Sequence, residues 1–395
     1  MTTETAAAGP DLEAARTAAI EDSGWGTPFA LLQWRNACFW LLLAGLAAGA
    51  VQTVRYYRPG AAAYGTGLAI GVIAFALFTV PWVLLLRRHN RRYTGLPAKL
   101  LAVAFAWGAL TATFVVALRA NSAGLSLYGK LFGHGWARDW GAGLTAPFTE
   151  EPAKATALIL LLGLAPRLIR SPYDGLLIGA FTGLGFQVME DVLYTYNATV
   201  AAFGADQVPV ALQMAVVRAV VGPVSHALFS GVLFAGLMWA IGRGRPGRRV
   251  TGLLLVAGAM LMHGVWDDLA ALGTAALGVL GVLAVAVLAP AASLLLLWRT
   301  FRLAVPQERQ WLRDILLPEA AAGLLWPIEV AAATGSRKER RAYLRAWQGR
   351  AGRKKGKRLL RATRRLAREL AFARGGAEEA VTRARQEITG LRAPA

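Results

Sequence analysis

Eight apolar stretches run through residues 36–297, and four of them carry acids or histidines at depths where lipid does not tolerate them: Glu150 and Glu151, Glu190, His226, and His263 with Asp267. Even on the lenient insertion scale, a charge at the centre of a spanning helix costs about 2.5 to 3.5 kcal/mol, so such residues face a wet cavity or one another. Their grouping predicts a buried polar site inside a membrane bundle.

The remaining charges sit in loops and tails, and 56% of the residues are hydrophobic, a pattern that excludes an ordinary soluble domain of this length. The first 35 residues contain Asp11, Glu13, Glu21 and Asp22 and no apolar core behind a basic start. A cleaved signal peptide is therefore not expected, and the first stretch reads as an uncleaved anchor. The single cysteine, Cys38, has no disulfide partner in the chain and reads as a small apolar filler. Windows of about 20 apolar residues give spans near 36–54, 66–86, 99–118, 142–165, 175–197, 212–241, 251–271 and 276–298. The expected fold is all-α, a polytopic membrane bundle of about eight transmembrane helices.

Lys and Arg in short loops stay preferentially in the cytoplasm. Residues 87–93 read RRHNRRY, the loop after the fourth span has Arg167 and Arg170, and 243–249 reads RGRPGRR, whereas the intervening loops are poorer in cations. The loop after the third span fits least well, with Arg119, Lys130 and Arg138, and its Trp136 and Trp140 suit an interfacial helix on the outer surface. The reading is a multi-pass protein of the cell membrane with both termini cytoplasmic. His89 and His134 fall in loops and are expected to be solvated.

On this topology the polar residues reach one level. Glu150, Glu190 and His263 each lie about 7 or 8 residues inside the outer end of a span, roughly 10 to 12 Å deep at 1.5 Å per residue. His226 is about 14 residues from a loosely defined end, so it sits deeper or its helix begins later. Helical phase agrees. Gly179 and Gly183 share the face of Glu190, and with Gly175 they form a ladder that lets another backbone approach closely. His263 and Asp267 are an i, i+4 pair suited to a carboxylate that orients an imidazole. Glu150 and Lys154 have the same spacing, which makes Lys154 a charge partner. Pro147 and Pro152 flank the acids and loosen the helix, which only a protein-lined or wet cavity tolerates. Plainer readings exist: Glu150 and Glu151 as acids of a helix N-terminus capped by Thr149, and Glu190 or His226 as structural hydrogen-bonding groups. Asp191 and Asp268 fall off the faces of their neighbours, and Asp268 reads as a helix-end or interfacial residue.

With these residues the chain resembles the PrsW-type intramembrane metalloproteases, distantly related to the CAAX-processing proteases. The resemblance rests on Glu150-Glu151-Pro-Ala-Lys154 for EExxK, Phe186-Gln-Val-Met-Glu190 for FxxxE and His263-Gly-Val-Trp-Asp267 for HxxxD, with Arg218, His226 and Gly231 for an R, H, G segment. It covers roughly 142–270, with Asp191 and Asp267 where Asn is expected. It implies cleavage of membrane-anchored proteins, anti-sigma-factor-type regulators being the best-known theme.

Two histidines and a carboxylate are donors that Zn²⁺ accepts. The expected assignment is Glu190, His226 and His263 as ligands of a divalent metal, Zn²⁺ by donor type, Glu150 or Glu151 as general base, and Asp267 as the group that orients His263. A metal-free version uses the same residues, the glutamates activating water while histidine and Asp267 hold the oxyanion. The rival functions are a proton- or ion-coupled transporter and an inactive membrane scaffold. Against the transporter, no inverted repeat relates the halves and the polar residues lie only in the second.

Residues 299–395 are a different object, with 23 Lys and Arg against 9 Asp and Glu, which is +14 of the formal +20. The boundaries expected are a cytoplasmic segment 1–35, a bundle 36–298 with its motif core at 142–270, and a basic helical cytoplasmic tail 299–395. Leu359, Leu360, Leu366, Leu370 and Phe372 give the tail an apolar face, so peripheral docking on anionic inner-leaflet lipid is the leading reading. No base-reading motif is present, and no specific nucleic acid is expected. Oligomeric state is not legible.

Overall fold

The computed structural model describes residues 9–223 and 225–392. The architecture is 85% helical, with no strand among the described residues. Helix α1 (Pro10–Ser23) precedes the bundle. Helix α2 (Ala37–Tyr57) begins where the Asn36 side chain accepts from the Cys38 N–H, which satisfies one of the donors a helix start leaves open. A tight turn over Arg58–Gly60 leads to α3 (Ala61–Tyr93). Next, α4 (Ala98–Ala106) passes through widened π turns at Trp107–Ala117 into α5 (Leu118–Phe132), and the chain reverses at Gly133 into α6 (His134–Leu164).

Helix α7 (Pro172–Ala201) opens with a reciprocal cap: Ser171 Oγ accepts from the Asp174 N–H at 3.1 Å, and Asp174 accepts from the Ser171 N–H at 3.0 Å. It is the central helix, packed by α3, α4 and the π turns, and by α8 (Gln207–Val221) and α9 (Ser225–Ala240). The bundle is completed by α10 (Arg249–Asp267) and α11 (Leu269–Ala321). The small-residue ladder of α7 receives another backbone as expected, and the helix it receives is α9. A Cβ at Gly179 would stand 2.2 Å from the Ser230 carbonyl oxygen, and one at Gly183 would stand 2.2 Å from that of His226.

Six helical stretches among the described residues are long and apolar enough to cross a membrane, so the chain is a multi-pass membrane protein. Two of them reverse direction within. Cys38 of α2 packs on Gly163, at one end of α6, while Tyr57 packs on Tyr196. The following α3 runs back from Tyr64, also on Tyr196, to Tyr93 on Tyr173. Tyr173 and Tyr196 lie roughly 34 Å apart along α7, so α2 and α3 traverse the bundle in opposite senses. The second reversal is at Leu277 and Gly278 of α11, where Gly278 has φ +58°, a left-handed conformation that glycine adopts without a Cβ penalty. Gly273 and Gly281 then meet across the turn.

Three expectations are corrected. The stretch 212–241 is two helices, because α8 ends at Val221 and α9 begins at Ser225, the break coinciding with Gly222 and Pro223. The loop expected to be interfacial is a hairpin of α5 and α6, so α6 begins at His134 and the acids lie well inside it. His89, expected in solvent, is half-buried beside Tyr173 and Phe301.

The C-terminal part of α11 and α1 pack with α12 (Pro327–Thr334), α13 (Arg337–Arg345), α14 (Gly349–Phe372) and α15 (Glu379–Arg392) around a second core. Leu359, Leu360, Leu366 and Leu370 of α14 are buried in that core, and of the five apolar positions only Phe372 is exposed. The apolar face of the tail is thus turned onto its own neighbours, where each buried leucine contributes about 1.5 to 3 kcal/mol. Arg16 of α1 ties the unit together, donating to the Ile315 carbonyl at 3.1 Å and pairing with Glu319 at 3.0 Å.

Candidate active site

Five helices deliver the ionisable side chains to one place. From α6 come Glu150, Glu151 and Lys154, all buried. Their spacing puts the ammonium of Lys154 against both acids, 3.2 Å from Glu150 Oε2 and 2.9 Å from Glu151 Oε1, and over the Phe186 ring at 3.8 Å. Because α6 starts at His134, the acids are mid-helix residues, which removes the helix-start reading capped by Thr149. Thr149 instead bonds Asn121 of α5, and Asn121 Nδ2 donates to Glu150 Oε1 at 2.9 Å.

The break between α8 and α9 explains the depth of His226, which lies in the first turn of α9. Gln187 of α7 closes the break from both sides. Its Nε2 donates to the Gly222 carbonyl at 2.5 Å and its Oε1 accepts from the His226 N–H at 3.2 Å. Backbone groups freed by a break inside a membrane bundle need such partners. The His226 ring then stands with Nδ1 3.0 Å from Lys154 Nζ and Nε2 3.0 Å from Glu190 Oε2. Arg218 of α8 reaches the same carboxylate at 2.7 Å and Asp191 at 2.5 Å.

From α10, His263 is fully buried and stacks on Phe229, and its ring centroid lies 5.0 Å from that of His226. Its Nδ1 is 3.1 Å from Glu151 Oε1, and its Nε2 is 3.4 Å from Asp267 and 3.6 Å from Glu150. Glu151 is enclosed completely, with Ser230 Oγ donating to its second oxygen at 2.8 Å. Access differs across the cluster. Glu150, Glu151 and His263 are shut in, whereas the side chains of Glu190 and Asp267 are 17% and 20% exposed.

All six residues nominated from the sequence, Glu150, Glu151, Glu190, His226, His263 and Asp267, therefore meet in one cluster. Sequence reasoning missed three supports. Gln187 had a signal, lying three residues before Glu190 on the same helix. Asn121 had none. Asp268, read as a helix-end residue, is buried and accepts from the Gly143 N–H at 2.7 Å, so it bolts α10 to α6.

A carboxylate–imidazole cluster of this kind, walled by apolar helices, can activate water and stabilise charge developing on a carbonyl. Comparison with known proteins gives one result. The model of the PrsW family intramembrane metalloproteases matches residues 96–295, from the start of α4 into the returning limb of α11. No curated protein and no solved structure matches the chain. The matched region is half of the chain and contains every residue of the cluster, and the chain belongs to the PrsW family of intramembrane metalloproteases.

Proposed function

We propose that this protease hydrolyses peptide bonds of membrane-anchored proteins, anti-sigma-factor-type regulators among them, with the cluster around Glu150 as its reaction centre. The observation that carries the reading is that Glu150 Oε2 faces both imidazoles, 3.7 Å from His226 Nδ1 and 3.6 Å from His263 Nε2. Ligand atoms of Glu150, His226 and His263 lie within 4.8 Å of one another, and neither ring nitrogen of the buried His263 has an aligned hydrogen bond among the described residues. Orphaned buried nitrogens beside a carboxylate fit a divalent ion of the Zn²⁺ type. Glu150 thereby takes the place in the ligand set first given to Glu190, whose oxygen is shared with Arg218 and His226.

A bound ion supplies Lewis-acid polarisation of the scissile carbonyl. The protein's own groups do the rest. Glu190, open to water and hydrogen-bonded to His226, accepts the proton of the attacking water. Glu151 holds Lys154 in place, and Glu151 and Asp267 flank the His263 ring, 3.1 Å from Nδ1 and 3.4 Å from Nε2. A metal-free mechanism is favoured by one observation: Lys154 Nζ, among Glu150, Glu151 and His226, already offsets part of the negative charge of the cluster.

The reversal between α2 and α3, together with α6, supports eight crossings, made by α2, α3, α4–α5, α6, α7, α8–α9, α10 and the limb of α11 that follows Gly278. An even number puts both termini on one side. The packing of α1 against the tail supports this, and the arginine-rich loops make that side cytoplasmic. We divide the chain accordingly into a bundle, 36–298, and a cytoplasmic unit formed by 1–35 and 299–395.

The test is co-expression with a single-span reporter. Wild-type protein is expected to cut it and Glu150→Gln to leave it whole. An uncut reporter with wild type, or equal cutting by the variant, overturns the reading.

A further inference from the structure

Two cavities adjoin at the arginine-rich end of α3. The first, about 710 Å³, lies between α3 and the tail helices α13 and α14 and is lined by ten Arg or Lys side chains and no acid. Helix α3 supplies Arg87, Arg88, Arg91 and Arg92, and the tail supplies the others, Arg364 and Arg368 among them. The second, about 600 Å³, runs between α3 and α4 past Val83, Ala102 and Phe105 to Phe181. The two share Arg87, Arg91 and Arg368.

The shape is that of an amphiphile. Thr79, Val83, Arg87 and Arg91 follow one another at i, i+4, so a single stripe of α3 passes from apolar groove to cations. Leu77, Val80, Leu84 and Leu85 are exposed just before the first arginine, which puts the mouth at the boundary between lipid chains and headgroups. Among the lining cations Arg365 is answered from within the tail, 3.5 Å from both Glu369 and Glu387. None of the four α3 arginines, nor Arg364 or Arg368, forms an ion pair among the described residues. Burial, with Arg92 and Arg368 close by, pushes the Arg364 guanidinium down to about 10. The tail helix is held against α3 across like charge, and a phosphate bridging two or three arginines removes that repulsion.

We propose that the joined cavities bind one anionic phospholipid, its phosphate on Arg87, Arg91 and Arg368 and an acyl chain in the groove between α3 and α4, so that the headgroup links the tail to the bundle. The apolar groove and the exposed leucines favour a lipid over a soluble polyphosphate, which has no use for either. The site is independent of the protease reading, since none of its residues belongs to the cluster around Glu150.

Native mass spectrometry of the full chain in detergent, titrated with dioleoylphosphatidylglycerol, dioleoylphosphatidylcholine or inorganic pyrophosphate, tests it. Phosphatidylglycerol is expected to be retained where phosphatidylcholine is lost. The triple variant Arg87→Gln, Arg91→Gln, Arg368→Gln is expected to weaken retention about a hundredfold. Ala102→Phe, which fills the exposed groove and leaves every arginine, is expected to weaken it as well, and it decides alone if the triple variant does not fold. Equal retention of phosphatidylcholine, or undiminished phosphatidylglycerol binding in the folded variants, overturns the proposal. Pyrophosphate held as tightly as lipid and indifferent to Ala102→Phe also overturns it, in favour of a soluble polyphosphate.

Discussion

Lys154 Nζ lies 3.0 Å from His226 Nδ1, and Nε2 of the same ring lies 3.0 Å from Glu190 Oε2. An ammonium can only donate, so in the metal-free mechanism Nδ1 accepts and the ring proton stands on Nε2, directed at Glu190. Arg218 closes the far side of that carboxylate at 2.7 Å. One chain of hydrogen bonds therefore runs from α6 through α9 and α7 to α8, and its members act as a unit.

Lys154 is the counter-charge to two buried acids, and its removal leaves both unpaired. Lys154→Met is expected to cost about 3 to 5 kcal/mol, the penalty for breaking a buried pair from one side. Thermal unfolding in detergent reads this directly. A variant as stable as wild type would mean that Glu150 and Glu151 are not held as ions.

Glu190 is expected to carry the proton-accepting role, and Glu190→Gln to lower the cleavage rate about 10²- to 10⁴-fold while leaving the fold intact, since an amide still bonds Arg218. Cleavage by purified enzyme against a single-span substrate measures it. A rate within a few-fold of wild type would move the role to another residue.

Metal content separates the two mechanisms. Wild-type protein is expected to hold about one equivalent of a divalent ion, and His263→Ala to lose it. Elemental analysis of both checks this. Full activity in metal-free wild-type protein would select the mechanism in which carboxylates and Lys154 suffice.

Asp268 is a test of structure rather than chemistry. Asp268→Ala removes the charged acceptor that ties the Gly143 N–H of α6 to α10 and is expected to cost about 1.5 to 3 kcal/mol, whereas Asp268→Asn keeps an acceptor and costs less. Comparable stability of the two variants would argue that the contact between α10 and α6 does not depend on this bond.

Much of the site was legible because helical phase is a strong constraint. The pairing of Glu150 and Glu151 with Lys154, the close approach of another backbone along Gly179 and Gly183, and the shared face of His263 and Asp267 all follow from spacing of three or four residues. What crosses between helices was not legible. Asp268 is indeed a quarter-turn away from Asp267, but α6 passes on that side, and nothing local announces it. The break before His226 was marked by Gly222 and Pro223 and was hidden by the even hydropathy of 212–241. The tail shows a further limit. A stripe such as Leu359, Leu366 and Leu370 says that something apolar covers it, and periodicity alone does not distinguish a lipid surface from neighbouring helices, which is what covers it here.

The most direct test of the account is to reconstitute the purified protein in vesicles with a single-span membrane protein and sequence the product termini. The account predicts a cut within or beside the apolar span by wild-type protein, and none by Glu150→Gln. A substrate left intact by folded wild-type protein, or the same cut made by Glu150→Gln, would contradict it.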